Sequence, residues 1–573
     1  MLRGPRITRP TIDPDELSPE PRAFCTQAEI HPDPDTASTI DVVVVPVTRT
    51  ARRNGPRAPL VTDPDVIAGV LADASHLPGG HAAGVVFARG EADVAALVAT
   101  GTRVLPIGAQ SSITGGGTPF GETVLSTARM NRILAIEGDL VRVEPGVTIG
   151  ALQEALAAEG RLYPPAPTYP GACIGGTVAT NAAGAATFKH GSTRRWVEAI
   201  TVVLPGGDVL DVPRGTYFAA DREFTIRTSR GLTRVTVPSY DMPAVPKRSA
   251  GYHVERGMDL IDLFIGSEGT LGVVTEVTLR TVHPAPAPCV ALVQCPSTGC
   301  ALEIVAALAA EARTTWRSRD PRGLDVSAIE LIDRRSIGIL REDGADLRAD
   351  VRIAPNTDNL LLVQIDLPSG TGAASVYEQI AAAADAGVDG ALVRFCRMLD
   401  AHGLLDSVQI AAPGEAGRMA QLFALREAVP SGVNSRVARA QQAVDARISK
   451  TAGDMIVPLD HFGEMLRLYE ERFSARGLDY AVWGHASDGN VHPNVIPRSY
   501  ADVAAGREAL LELGRDAVRL GGCPLAEHGV GRNAIKQALL RQMYGEEGIA
   551  EMRAVKRAID PDWTLAPGVI FPP

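Results

Sequence analysis

Pro106-Ile-Gly108-Ala109-Gln110-Ser111-Ser112-Ile-Thr114-Gly115-Gly116-Gly117 is the stretch on which the fold turns, and the Arg103-Val-Leu run before it reads as a strand feeding a glycine loop. Glycines let the backbone turn until several N–H groups converge, and serine hydroxyls add donors, so the composition suits a phosphate or pyrophosphate. It is neither a Walker loop nor a Rossmann fingerprint: there is no GxxxxGK[ST], and no GxGxxG opens a helix here. Taken alone, such a loop is as compatible with a mobile Gly/Ser segment as with a ligand site. Two more glycine segments follow, Pro167-Thr168-Tyr-Pro-Gly171-Ala-Cys-Ile-Gly175-Gly176-Thr-Val-Ala-Thr180-Asn181-Ala-Ala-Gly184 and Gly266-Ser-Glu268-Gly269-Thr270-Leu-Gly272-Val-Val274. Small side chains let a flat ligand approach the backbone, and three such loops in one region point to a bound ligand.

Around these loops, from about residue 61 to 285, short β-branched runs (Gly84–Phe87, Leu140–Val143, Ala199–Leu204) alternate with Ala/Leu-rich helical stretches, the texture of an α+β module. The Pro-rich break at His283–Pro288 marks the main boundary, and a second domain, 286–573, mixes long helical patterns with strands such as Leu360–Ile365. Residues 1–60 read as an N-terminal extension with one apolar run, Val42–Val45, able to add a strand. The chain of 573 residues carries 56 basic and 67 acidic groups, a net charge of -11 that repels phosphate backbones and anionic lipid, so nucleic acid is not an expected partner. Seven cysteines without a CxxC pair suit a reducing compartment and argue against an iron–sulfur cluster or zinc knot. No apolar run approaches the roughly 20 residues of a membrane span, and no h-region follows the N-terminal basic residues; a cytoplasmic location is expected.

The second half carries the sharpest chemical motif, Trp483-Gly-His485-Ala-Ser-Asp488-Gly489-Asn490-Val-His492-Pro. With Asp488-Gly489 as a two-residue hairpin turn, residue 487 pairs with 490, 486 with 491 and 485 with 492. His485 and His492 then face each other on one side of the ribbon, with Cβ atoms about 5 Å apart, which suits two imidazoles on one divalent metal. A third ligand is available in Ala526-Glu527-His528-Gly529-Val-Gly531, after a helix expected over Arg507–Leu520. Two His and one carboxylate with a vacant position is the composition of a catalytic rather than a structural metal site.

With these motifs in order, residues 60 to 573 resemble the flavin-dependent oxidoreductases of the vanillyl-alcohol oxidase/p-cresol methylhydroxylase superfamily. Within it they resemble the D-lactate, D-2-hydroxyglutarate and glycolate dehydrogenase branch. The resemblance implies a two-subdomain, PCMH-type FAD-binding module over 61–285 and an α+β cap domain with an antiparallel sheet over 286–573, whose tail returns to the flavin. It implies FAD contacts from Pro106, Gly108, Ala109, Gln110, Ser111 and Ser112; from Pro167, Thr168, Gly171, Gly175, Gly176, Thr180, Asn181, Gly184 and Gly191; and from Glu268, Gly269, Thr270, Gly272 and Val274. Residues 106–117 contain neither His nor Cys, so non-covalent FAD is expected. By the same resemblance His485, His492 and Glu527 hold a divalent metal, with zinc the expected ion, His528 is the general base, and Asn490 contacts substrate or flavin.

Arg426 in Leu425-Arg426-Glu-Ala-Val-Pro430 and Lys450 in Lys450-Thr-Ala-Gly-Asp454 match the family's carboxylate-binding segments, a guanidinium fork and a point charge. Pro430 stands where the 2-hydroxyglutarate branch has a hydroxyl residue, and Ala566 and Val569 where many members have Asn and Lys in the terminal turn. The expected reaction is oxidation of a D-2-hydroxy acid, D-lactate-like, with hydride passing to flavin N5. The electrons then go to an external acceptor: an electron-transfer flavoprotein, a cytochrome, a quinone or oxygen. A second copy of the chain, in a homodimer, is among the expected partners. Two alternatives stand beside this reading: a flavin enzyme without net redox, resembling alkylglycerone-phosphate synthase, and a His/His/Glu metallohydrolase without flavin.

Overall fold

The computed structural model describes residues 44–50, 57–165 and 169–572; Cys25, Pro167 and Thr168 lie outside the described residues. The β-branched runs of the first half form two sheets. Strands Gly84–Phe87, Thr123–Ser126 and Val104–Ile107 are mutually parallel, with Leu60–Val61 antiparallel at one edge. The first glycine loop leaves the carboxyl end of Val104–Ile107, where ligands of parallel sheets bind. The second sheet is antiparallel, in the order Arg49–Thr50, Asp208–Pro213, Val197–Val203, Val273–Arg280, Leu140–Val143, Ile133–Glu137. Gly266–Gly272 therefore enters the middle of this sheet. Helix Glu91–Val98 buries Val94, Ala95 and Val98 in one cluster with Val86 and Val104 of the first sheet and Val203 and Val273 of the second. Val44–Pro46 pairs in parallel with Glu223–Thr228, as the apolar run of the extension predicts.

The second half is built on one antiparallel sheet: Gln409–Ala411, Ala287–Cys295, Asn359–Leu367, Val326–Ile332, Tyr480–His485, Asn490–Val495 and Thr451–Ala452, with Met455–Ile456 also paired to Asn490–Val495. Its central strands are buried on both sides, which is why they read as nearly continuous apolar runs. Helices Thr298–Ser318, Ala391–Ala401, Phe462–Ser474 and Tyr500–Arg519 cover one face, while Arg334–Glu342 and Ala416–Ala443 cover the other. Ser297, Asp333, Ser499 and Asn533 cap four of the helices by accepting backbone N–H bonds from their first turns.

The two halves are tied at several points. Lys189 Nζ sits 2.7 Å from both Asp325 and Asp366, and the neighbouring Phe188 packs on Trp316 with ring centroids 5.0 Å apart. The last helix, Ala534–Ile559, shares the core of the first half, its Leu540, Met552 and Val555 lying in one cluster with Leu263 and Phe264. The tail then pairs with Val104, which donates to Thr564 O and accepts from Ala566 N at 2.7 and 2.8 Å. Lys556, 1% exposed, fixes this return by donating to Thr270 O, Asp560 Oδ2 and Leu565 O at 2.6, 2.5 and 2.8 Å. Just before the third glycine segment, Arg194 and Arg214 both pair with Asp262 at 2.9 and 3.1 Å, and His253 is buried among these charges.

Two outcomes follow from these buried groups. Lys556→Met leaves the Asp560 carboxylate buried without its cation and is expected to cost about 3–5 kcal/mol, read as a lowered urea midpoint. Burial and the Arg194 guanidinium push the His253 imidazole down to about 2 from 6.5. It is neutral in the fold and takes a proton on unfolding, so the stability it contributes is complete above pH 6.5 and is lost as pH falls toward 2. His253→Gln is expected to move the acid-unfolding midpoint to lower pH.

Candidate active site

The glycine loops of the first half converge on one cleft of about 340 Å³, and Glu527 and His528 of the second half line the same cleft. Its wall is largely backbone. A Cβ added at Gly108 would lie 3.0 Å from Cys173 Cβ and one at Gly175 2.6 Å from Pro145 Cβ, whereas one at Gly176 would meet nothing within 4 Å. Gln110, Asn181 and Glu268 hold left-handed backbone (φ 51, 48 and 52), a conformation uncommon outside glycine. Among the described residues no protein acceptor takes the N–H groups of Gln110, Ser111 and Ser112. Three adjacent free donors on a glycine loop are a nest for a phosphate oxygen, so the residues present fit a dinucleotide such as FAD.

Of the flavin contacts expected from sequence, Pro106, Gly108, Ala109, Gln110, Ser111, Ser112, Gly175, Gly176, Thr180, Glu268, Gly269, Gly272 and Val274 line the cleft. Gly171, Asn181, Gly184, Gly191 and Thr270 do not. The Asn181 side chain accepts from Arg194 N at 2.9 Å, and the Thr270 hydroxyl is spent on Tyr252 and Ser267, so both shape the loop from behind. Glu268 turns its carboxylate away from the loop, accepting from Val530 N and Gly531 N at 2.7 and 2.8 Å.

The histidine hairpin differs from its expected register. His485 pairs with Asn490 and Trp483 with His492, because a 3₁₀ turn over Ala486–Asp488 inserts two more residues before Gly489. Gly489 takes φ 78, and a Cβ there would lie 2.2 Å from Val457 O, so the turn is packed inside the protein rather than exposed. The two histidines are thus diagonal rather than opposed. They still share a face, with ring centroids 5.5 Å apart.

Both imidazoles meet a third on a single oxygen. Glu527 Oε1 lies 3.3 Å from His485 Nε2, 3.2 Å from His492 Nε2 and 3.4 Å from His528 Nε2. The far nitrogens of two rings are held by carboxylates: His485 Nδ1 contacts Glu330, and His528 Nδ1 lies 2.9 Å from Asp454 Oδ2. Nδ1–H donors of this kind leave Nε2 lone pairs facing a carboxylate oxygen, which repel unless a cation or proton lies among them. Ligand atoms about 2.0–2.1 Å from a tetrahedral ion are roughly 3.3 Å apart, which is the spacing of Glu527 Oε1 from each of the three Nε2 atoms, so these donors suit a divalent metal, although His485 lies outside the group whose ligand atoms are all mutually close.

Ligand atoms of Asp454, His492, Glu527 and His528 all lie within 4.8 Å of one another. Asp454, however, already takes Glu527 N and His528 N at 3.0 Å and Asn490 Nδ2 at 3.2 Å, which suits a supporting group better than a ligand. Burial pushes the His492 imidazole down to about 4, while for His485 the Glu330 carboxylate overcomes burial and raises it to about 9.

Four buried residues of this cluster carry roles that the sequence reading missed. Lys247, 0% exposed and contributed by the first half, places Nζ 3.2 Å from Glu527 Oε2, 3.2 Å from Asp488 Oδ2 and 3.1 Å from Asn490 Oδ1. Asp454, Asp488 and Glu330 complete the set. The one available signal was Glu330, a lone charge in the apolar strand Val326–Ile332. Asn490, expected at substrate or flavin, is 0% exposed and spends its amide on Lys247, Asp454 and Met455 O, so it is a strut of the hairpin. Arg426 lies in the long helix Ala416–Ala443 and is tied to Glu330 at 2.8 Å and Glu427 at 2.9 Å through Nε and Nη1; like Lys450, His485 and His492 it stands behind the residues that line the cleft. Lys450 has no carboxylate partner among the described residues, and burial pushes its ammonium down to about 8.

Comparison with known proteins agrees with this geometry. Residues 82–213 match the family described as FAD binding domain, and residues 295–570 match that described as FAD linked oxidases, C-terminal domain. The chain belongs to the FAD-linked oxidoreductases of the vanillyl-alcohol oxidase/p-cresol methylhydroxylase superfamily, and the flavin-free metallohydrolase reading falls with that membership. It is 28% identical over 477 residues to a D-2-hydroxyglutarate dehydrogenase of Xanthomonas citri pv. viticola, covering 82% of this chain and 84% of that one. It is 28% identical over 476 residues to the glycolate oxidase subunit GlcD of Bacillus subtilis (82% and 83% covered), and 26% over 474 residues to a D-lactate dehydrogenase of Anaerostipes hadrus (82% and 84%). Within the superfamily its place is therefore the branch that holds these dehydrogenases. A solved 4-ethylphenol oxidase from Gulosibacter chungangensis has the same fold, with a TM-score of 0.58 at 15% identity, covering 90% of this chain and 94% of that one. Among the described residues no helix is long and apolar enough to cross a membrane.

The loop bearing Glu527 and His528 depends on close backbone contact at Gly529, which has φ 75 and where a Cβ would lie 3.0 Å from the Glu268 carboxyl carbon. Gly529→Ala is expected to cost about 1–3 kcal/mol and to lower the melting temperature.

Proposed function

We propose that the protein oxidises a D-2-hydroxy acid to the corresponding 2-oxo acid, with FAD bound non-covalently. The observation that carries this reading is the presence of Glu527 and His528 in the wall of the same cleft as the free N–H groups of Gln110, Ser111 and Ser112. The relatives named for D-2-hydroxyglutarate, glycolate and D-lactate support the substrate class. Residues 61–285 form the flavin module in this account, 286–573 the cap and substrate domain, and 1–60 an extension. Cys173 lines the cleft, but burial pushes its thiol up, so it is a poor nucleophile toward the flavin ring.

FAD supplies the hydride acceptor when bound, and a divalent ion held by His485, His492 and Glu527, with zinc the favoured ion, supplies Lewis acidity toward the substrate hydroxyl. The protein's own groups do the rest. Arg426 Nη2 and Lys450 hold the substrate carboxylate, the first as a directed donor and the second as a point charge. His528 takes the hydroxyl proton on Nε2; Asp454, 2.9 Å from Nδ1, keeps the other ring proton in place and stabilises the imidazolium that forms. The proton leaves O2 and a hydride leaves C2, so the alcohol loses two electrons and becomes the 2-oxo acid. Lys247 and Asn490 keep the hairpin and Glu527 aligned while this happens. The two electrons taken from the substrate would leave the protein to an external acceptor.

Anaerobic titration of metal-replete protein with D-lactate, D-2-hydroxyglutarate, glycolate and the L-forms tests this directly. A D-acid is expected to bleach the visible flavin band, and His528→Ala is expected to slow that reduction by about 10²–10⁴-fold while retaining FAD. A yellow protein that no 2-hydroxy acid reduces would falsify the reading.

A further inference from the structure

Glu330 stands out as a charge in a strand with no other: Val326–Ile332 is buried along its whole length, and Glu330 itself is 5% exposed. A buried carboxylate is costly unless every lone pair is met by a donor. Here two donors of different function meet it. One oxygen receives His485 Nδ1 and the other receives Arg426 Nε at 2.8 Å. The first contact follows from sheet register, since Glu330 and His485 are direct neighbours in the antiparallel pair and their side chains leave the same face. The second comes from the helix Ala416–Ala443 laid across that face.

Each contact removes a freedom. A proton on His485 Nδ1 commits Nε2 to point at Glu527 Oε1, 3.3 Å away. The bond to Arg426 Nε turns the guanidinium about its long stem, and with Glu427 on Nη1 it leaves Nη2 directed elsewhere.

We propose that Glu330 is a positioning residue that seats the metal-side imidazole of His485 and the substrate-side guanidinium of Arg426 on one carboxylate, so that metal affinity and carboxylate binding share a single support. The inference rests on the proposed function for the roles of His485 and Arg426. Glutamine at 330 offers one acceptor where two N–H donors arrive, so one contact must be lost. Aspartate keeps the charge but, one methylene shorter, cannot reach both.

The test uses full-length holoprotein stripped of metal and titrated with Zn²⁺ against a competing chelator, with FAD content and circular dichroism as controls of folding. Glu330→Gln and Glu330→Asp are both expected to weaken zinc binding by about 10–100-fold. At saturating zinc, both are expected to weaken the perturbation of the oxidised flavin spectrum by 2-oxoglutarate or pyruvate. Should Glu330→Gln fail to fold, Glu330→Asp carries the same test, and its unchanged charge separates loss of position from loss of field. Unchanged zinc affinity in the folded variants, or weakened zinc binding with unaltered 2-oxo acid binding at saturation, overturns the inference. Native protein that binds zinc but shows no flavin response to any 2-oxo acid overturns the proposed substrate class while leaving the zinc arm to decide on Glu330. Native protein that takes up no zinc overturns both.

Discussion

Four buried carboxylates, Glu330, Asp454, Asp488 and Glu527, set the terms for the rest of this structure. Charges of one sign cannot be packed into a protein interior unless opposite charges are brought to them. Arg426 comes to Glu330 from the long helix, Lys536 lies 3.5 Å from Asp454 at the start of the last helix, and Lys247 crosses from the first half of the chain to Asp488 and Glu527. Four negative groups against three permanent cations leave one charge unmet. The His485 imidazole stands beside this surplus, and the Glu330 carboxylate raises it against the effect of burial.

This requirement also explains why the halves of the chain cannot be considered apart. The flavin module contributes Lys247 and the Glu268 clamp, the cap contributes the hairpin and Arg426, and the last helix returns to the first core. Lys189 between Asp325 and Asp366 repeats the same principle at a distance from the chemistry. The consequence is a cleft with backbone donors along one wall and the loop of Glu527 and His528 in the other. That arrangement suits an anionic cofactor and places an imidazole beside it.

Much of this was legible in the chain itself. The runs Gly84–Phe87 and Leu140–Val143 are strands over those same residues, and most of the residues in the three glycine segments line the cleft. Local patterns succeed because β-branched alternation and glycine loops act over a few residues. The hairpin register failed for an equally local reason: Asp488-Gly489 looks like a two-residue turn, but Asp488 is drawn inward to Lys247 and the turn lengthens to accommodate it. Lys247 escaped notice because its partner Asn490 lies 243 residues away in sequence, and the lone charge of Glu330 in an apolar strand marks the residue but not its partner, 155 residues away. Asn490 was legible as important but not as a strut, since its role is defined by what surrounds it.

We propose that a divalent cation belongs where the imidazoles of His485 and His492 meet Glu527. An anomalous-scattering map, recorded at the zinc absorption edge from crystals grown with zinc, tests it most directly. The account predicts one peak per chain, among Glu527 Oε1 and the Nε2 atoms of His485 and His492, at about 2.0–2.2 Å from each. No peak there, with density for zinc elsewhere or nowhere, would contradict it.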